Sequence, residues 1–105
     1  MKKIEVLKRI VEGGIVAVVR ADSEEKAEKI SSACIQGGIK AIEVTFTVDG
    51  AANVIHSLRS KFSKEELLIG AGTVLDPETA RIAILNGAEF IVGPSFNPQV
   101  ALLCN

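Results

Sequence analysis

The sequence predicts an α/β fold in which parallel strands alternate with helices, and three observations carry that expectation. Short apolar runs recur along the chain: Val16-Ala17-Val18-Val19, Ala41-Ile42-Glu43-Val44, Leu67-Leu68-Ile69-Gly70-Ala71 and Phe90-Ile91-Val92. Three of them follow Gly13-Gly14-Ile15, Gly37-Gly38-Ile39 and Asn86-Gly87-Ala88, signals of the kind that close a helix in the left-handed conformation. The strand starts fall near residues 15, 41, 67 and 89, spaced by 26, 26 and 22 residues, which suits strand–helix units. Such repetition implies a parallel sheet with right-handed crossovers.

The segments between the strands have helical periodicity. A leading helix is expected over residues 2 to 12. Asp22, with Glu25 three residues on, gives a capping-box-like start, after which Ala27, Ile30 and Cys34 share a face. The helix after Asp49 offers Ala51, Val54, Ile55 and Leu58. Asp76-Pro77-Glu78 supplies an N-cap and a proline at the first helical position, with Ala80, Ala83, Ile84 and Gly87 toward the sheet. Another helix is expected to start after Asn97-Pro98. No linker or low-complexity stretch interrupts the pattern.

Ile42-Glu43-Val44-Thr45-Phe46-Thr47 carries the most functional information. Side chains alternate along a strand, so Ile42, Val44 and Phe46 share one face while Glu43, Thr45 and Thr47 share the other. A carboxylate inside a fold is costly unless paired, solvated or working. In an open flavodoxin-like sheet this polar face would lie against apolar helices. In a (βα)8 TIM barrel it points into the lumen, toward the C-terminal mouth where active sites collect. The barrel is therefore expected, with this chain supplying a leading helix and about the first four βα units.

Composition narrows the function classes. At 105 residues, the chain allows one small domain or part of a larger one. With 48% hydrophobic residues, four aromatics that are all Phe and a mean hydropathy of +0.33, it suits the aliphatic interior of a helix-covered parallel sheet. Twelve basic and thirteen acidic residues give a formal charge of −1, and no basic patch points to nucleic acid. The charged, amphipathic start lacks a signal-peptide core, and no apolar run is long enough to span a bilayer. Cys34 and Cys104 lack metal or redox spacing and fit a reducing cytoplasm.

Three motifs in order resemble one family. Ile42-Glu43-Val44-Thr45-Phe46-Thr47, Gly70-Ala71-Gly72-Thr73-Val74-Leu75 and Phe90-Ile91-Val92-Gly93-Pro94 are similar to the amino-terminal half of the 2-keto-3-deoxy-6-phosphogluconate (KDPG) / 4-hydroxy-2-oxoglutarate (KHG) aldolases. The resemblance covers essentially all of the chain, including Ile15 to Arg20. It implies a class I, Schiff-base aldolase on a (βα)8 barrel, usually homotrimeric, that needs no metal or other cofactor. The substrate class it implies is a small 2-keto-4-hydroxy acid, cleaved to pyruvate and an aldehyde. Residues 1–105 then form a single unit, the amino-terminal half of the barrel, with no nucleic-acid or membrane partner.

The same resemblance assigns residues. Glu43 matches the acid/base glutamate. Thr73 matches a threonine that hydrogen-bonds the pyruvate carboxylate, and Pro94 a proline lining the pyruvate pocket. In some relatives a carboxylate-binding arginine lies four residues past the glutamate, where this chain has Thr47. Arg20, at the mouth end of the first strand, is then expected to supply the charge, since a guanidinium clamps a carboxylate in bidentate fashion.

The electrophile is not among these residues. A class I aldolase needs a lysine amine to form an imine with the keto group. In the family that lysine lies on the sixth strand, beyond Asn105. His56 reads as a helix-surface residue, Lys40 faces the opposite end of the sheet, and Lys61, Lys64 and the lysines of the first helix read as solvated charges. The 105-residue piece alone is expected to be inactive and to associate through unpaired edges. Three other readings stay open: a catalytically silent half-barrel, a flavodoxin-like anion-binding module, and a phosphate-sugar isomerase sharing only the scaffold.

Overall fold

A computed structural model describes residues 3–105. The elements run α1 (Lys3–Gly13), β1 (Ala17–Val19), α2 (Glu24–Gln36), β2 (Ala41–Thr45), α3 (Ala51–Lys61), β3 (Leu68–Gly72), α4 (Pro77–Leu85), β4 (Phe90–Ile91) and α5 (Pro98–Cys104). The expected leading helix is present from Lys3, and its predicted first residue lies outside the described residues.

All four strands pair in parallel, in the order β1-β2-β3-β4. That order decides between the two architectures. A right-handed crossover that always steps the same way puts every connecting helix on one face of the sheet. A doubly wound sheet needs a reversal of strand order instead, and there is none here. The sheet is part of a barrel.

The helix-facing residues form the main core. Val19, Ile42, Val44, Ile69 and Ala71 meet Ala27, Val54, Ile55, Leu58, Ala80 and Ala83, so the strand alternation read from β2 holds across its neighbours. The opposite, lumen-facing side carries a smaller cluster in which Val6 and Ile10 of α1 close over Val16, Ala41, Leu68 and Phe90. The leading helix thus plugs the N-terminal end of the lumen with apolar side chains and leaves the other end open.

The turn chemistry is mostly as predicted. Gly14, Gly38 and Gly87 take φ of 75°, 95° and 118°, the left-handed region that a side chain disfavours. Asp76 caps α4, its Oδ1 accepting from the Thr79 backbone N–H at 2.7 Å, with Pro77 in the first turn. Asn97 caps α5 by accepting from the N–H groups of Gln99 and Val100. At α2 the cap is shifted by one residue. Ser23, with an extended backbone, accepts from Lys26 N–H, while Asp22 pairs with the Lys26 ammonium at 2.9 Å. On α2, Ala27 and Cys34 pack against the core as expected, but Ser31 is fully buried beside them and Ile30 is exposed. In α4, Ala80 and Ala83 face the sheet as expected but Ile84 is 39% exposed.

Candidate active site

The parallel sheet collects the ends of β1, β2, β3 and β4 on one rim, opposite the α1 plug. Glu43 sits at the middle of β2, half-buried, on the lumen side. It is in register with Val18 on one neighbour and Gly70 on the other. Its side chain does not lie flat at that level. It leans along the sheet toward the mouth and rests on Gly72, with Cγ and Cδ only 2.7 and 2.5 Å from where a Cβ on Gly72 would stand. Among the described residues the Glu43 side chain makes no hydrogen bond and no ion pair.

Beneath the carboxylate is an apolar floor. Phe90 of β4, in register with Gly70, places its ring over that glycine, its Cδ2 2.5 Å from an ideal Cβ there. The ring belongs to the same cluster as Val6, Ala41 and Leu68. A carboxylate between such a floor and an open mouth can meet a ligand from one side only.

Two hydroxyls and one strained residue flank it. Thr45, 2% exposed, accepts a hydrogen bond at 3.2 Å from the hydroxyl of Thr47, which is itself exposed at the rim. Thr73 follows Gly72 directly, with a φ of 55°, a conformation that β-branched residues rarely take. Such outliers cluster at ligand clamps and active sites. The Val74 and Val92 backbones then bond at 3.1 Å, joining the loops after β3 and β4.

The sequence-predicted residues are therefore not all equivalent in space. Glu43 lies in the middle of β2, and Thr47 and Thr73 lie just past the adjoining ends of β2 and β3. Pro94 lies in an exposed bend after β4. Arg20 follows β1 and is exposed, lining a hollow of about 320 Å³ with Asp22, Lys26, Ile30 and Val48, a hollow that Glu43 does not line. None of the four strands contains a lysine. No cluster of three or more His, Cys, Asp or Glu that could hold a metal ion occurs among the described residues. No helix among them is long and apolar enough to cross a membrane.

Gly72 and Phe90 were not singled out as site residues by sequence reasoning. A signal was available: Gly70 and Gly72 are two apart, so they share a face, and that face adjoins the one carrying Glu43.

Comparison with known proteins decides the family. A family model described as KDPG and KHG aldolase matches residues 6–105. The chain belongs to that family. The 2-dehydro-3-deoxy-phosphogluconate aldolase of Treponema pallidum (strain Nichols) is 41% identical over 90 residues, covering 86% of this chain and 42% of the relative. The enzyme of the same name from Haemophilus influenzae is 32% identical over 100 residues, covering 95% of this chain and 46% of the relative. Among solved structures, the KDPG aldolase from Legionella pneumophila superposes with a TM-score of 0.76 at 27% identity, covering 84% of this chain and 42% of that one. That structure holds pyruvate captured at low pH as a covalent carbinolamine intermediate. The chain spans less than half the length of these relatives.

Proposed function

We propose that this chain forms the proton-handling half of a class I aldolase that cleaves 2-keto-3-deoxy-6-phosphogluconate or 4-hydroxy-2-oxoglutarate to pyruvate and an aldehyde. The observation that carries the reading is the state of Glu43: half-buried, unpaired among the described residues, above an apolar floor and leaning toward the mouth. The pyruvate carbinolamine in the Legionella pneumophila relative supports the imine route. Residues 1–105 are read as one unit, the amino-terminal half of the barrel, and the whole enzyme as a cytoplasmic homotrimer that needs no metal because the imine itself serves as the electron sink.

In this mechanism a lysine amine supplied by another strand adds to the keto carbon of the substrate. Glu43 takes a proton from the lysine nitrogen as the carbinolamine forms and gives it to the departing hydroxyl as water is lost. It then takes the proton from the 4-hydroxyl as the C–C bond breaks, and returns one to the enamine carbon. Thr73 offers a hydroxyl donor to the pyruvate carboxylate, as does Thr47 once its O–H turns away from Thr45. Pro94 walls the pocket, and Arg20 supplies the positive charge after its side chain swings from the α2 flank toward the lumen.

Replacement of Glu43 by Gln tests this in the whole enzyme. The swap keeps shape and removes the proton acceptor, so turnover is expected to fall by roughly 10²–10⁴-fold with stability held within about 0.5 kcal/mol. Borohydride reduction in the presence of pyruvate should trap a covalent adduct on a lysine. Absence of that adduct in the whole enzyme refutes the class I assignment.

One observation favours a second reading, in which this chain is a catalytically silent half-barrel assembling through its edges. β1 and β4 each pair on one side only among the described residues. A 105-residue chain that associates tightly and forms no pyruvate adduct supports it.

A further inference from the structure

We propose that Gly72 is a positioning residue for Glu43, and that its role is to leave the carboxylate a seat rather than to let the backbone bend. Gly72 is not among the residues with positive φ, so an L-residue could adopt its conformation. What a side chain would meet is Glu43: Cγ at 2.7 Å and Cδ at 2.5 Å from the added Cβ, with Oε1 nearer still. Separations under about 3 Å do not persist between real carbons, so one partner must move. The yielding partner is the flexible Glu43 side chain, which must turn from Cγ outward and is only half-buried.

Gly70, two residues earlier on the same face, makes the contrast. A Cβ there would meet the ring of Phe90, with Cδ2 at 2.5 Å and Cε2 and Cζ nearer. That ring is rigid and packed into the floor with Val6, Ala41 and Leu68. Phe90 therefore fills the seat directly beside Glu43, at its own register level. The vacant seat on β3 is the next one up, over Gly72, and the carboxylate takes it. Two glycines on one strand thus do different work: one admits a ring that builds the floor, the other admits the carboxylate above it.

Different consequences follow for Gly72→Ala and Gly70→Ala. The first leaves the thermal midpoint of this chain within a few degrees of the parent, because only the flexible, half-buried Glu43 side chain is displaced. It moves the Glu43 carboxyl ¹³C resonance, which is identified by its loss in Glu43→Gln. Gly70→Ala lowers the midpoint by about 5 °C or more.

The kinetic arm rests on the aldolase reading and is made in the whole enzyme. Misplacing a catalytic group by about 1 Å costs on the order of 10²-fold, so Gly72→Ala lowers kcat by that factor with KM little changed. The loss does not multiply with that of Glu43→Gln: the double variant turns over like Glu43→Gln alone, because the seat matters only for the carboxylate. A purely structural role would multiply.

The proposal is overturned if Gly72→Ala leaves the carboxyl resonance in place, if it unfolds the chain, or if its kinetic loss multiplies with that of Glu43→Gln. If Glu43→Gln itself keeps normal turnover, the aldolase reading fails while the shift of the resonance still reports the seat.

Discussion

Thr73 holds a φ of 55°, where its branched Cβ crowds the backbone at a cost of about 1–3 kcal/mol. Nothing about a loop threonine requires that conformation, and Gly72 stands one residue away to absorb a turn. The strain is tolerated because the loop is pinned next door, where Val74 donates to the Val92 carbonyl at 3.1 Å. Thr73→Gly relieves the strain but adds freedom to the unfolded chain, worth up to about 1 kcal/mol. The expected outcome is a thermal midpoint equal to or above the parent's, together with weaker pyruvate binding by the whole enzyme. A large drop in the midpoint would mean that the hydroxyl or methyl of Thr73 is structural. At this scale the sequence drew attention to Glu43, because a carboxylate in an apolar strand is conspicuous in any register. It did not show the strain at Thr73 or the seat at Gly72, because both depend on the chain beside them and not on local spacing.

At the scale of elements, caps and helix faces were legible where one residue type had no rival. Asp76 before Pro77 has none. Asp22 and Ser23 are both good caps, and the extended backbone settles on Ser23, leaving Asp22 to pair with Lys26. Apolarity alone placed Ala27 and Cys34 of α2 correctly but misplaced Ile30, which stays outside while the small Ser31 fits against the core. Hydrogen bonds from the Thr79 backbone N–H and hydroxyl hold the Asp76 carboxyl below the usual carboxylate range, and the Lys26 ammonium does the same for Asp22. A carboxyl with a depressed folded-state pKa contributes stability above its unfolded value of about 3.9 and loses it as pH falls through the folded value. Asp76→Ala should therefore lower the thermal midpoint at neutral pH, and the gap to the parent should close in strong acid. A gap that persists there would assign the effect to packing.

The connection between α3 and β4 was invisible in the sequence, since its partners are thirty residues apart. Arg59 and Glu89, with side chains 16% and 7% exposed, form an ion pair at 3.0 Å, and Arg59 also donates to the Leu67 carbonyl at 2.8 Å. The Arg59 stem lies against Gly87, so a glycine read as a helix stop also makes room for this side chain. Removing one partner of a buried pair strands the other charge at a cost of about 3–5 kcal/mol, whereas replacing both with apolar residues of similar volume is often neutral. Glu89→Ala is expected to destabilise the chain by that amount in urea unfolding, and Arg59→Met with Glu89→Leu to recover most of it. Equal losses in the single and double variants would show that the pair matters through packing alone.

Across the described residues, the partial barrel packs tightly but leaves faces without partners. Its radius of gyration of 12.6 Å matches the roughly 13 Å expected of a compact chain this long, so its exposed apolar side chains are not a sign of loose packing. They are grouped instead: Ile4, Leu7 and Val11 at helical spacing on α1, Ile82 and Leu85 on α4, Leu102 on α5, and Val18 on β1. Among the described residues, β1 and β4 each present a row of backbone groups paired on one side only. Edges of this kind template association, but at three and two residues they offer few hydrogen bonds, so most of the drive is apolar. The chain alone is expected to associate reversibly with rising concentration in sedimentation velocity. Val18→Lys, which puts a charge on the β1 edge, is expected to shift that equilibrium toward monomer without lowering the thermal midpoint by more than a few degrees. A parent chain that sediments as a monomer at every concentration would show that these faces are tolerated in water, and would remove the physical basis for assembly through the edges.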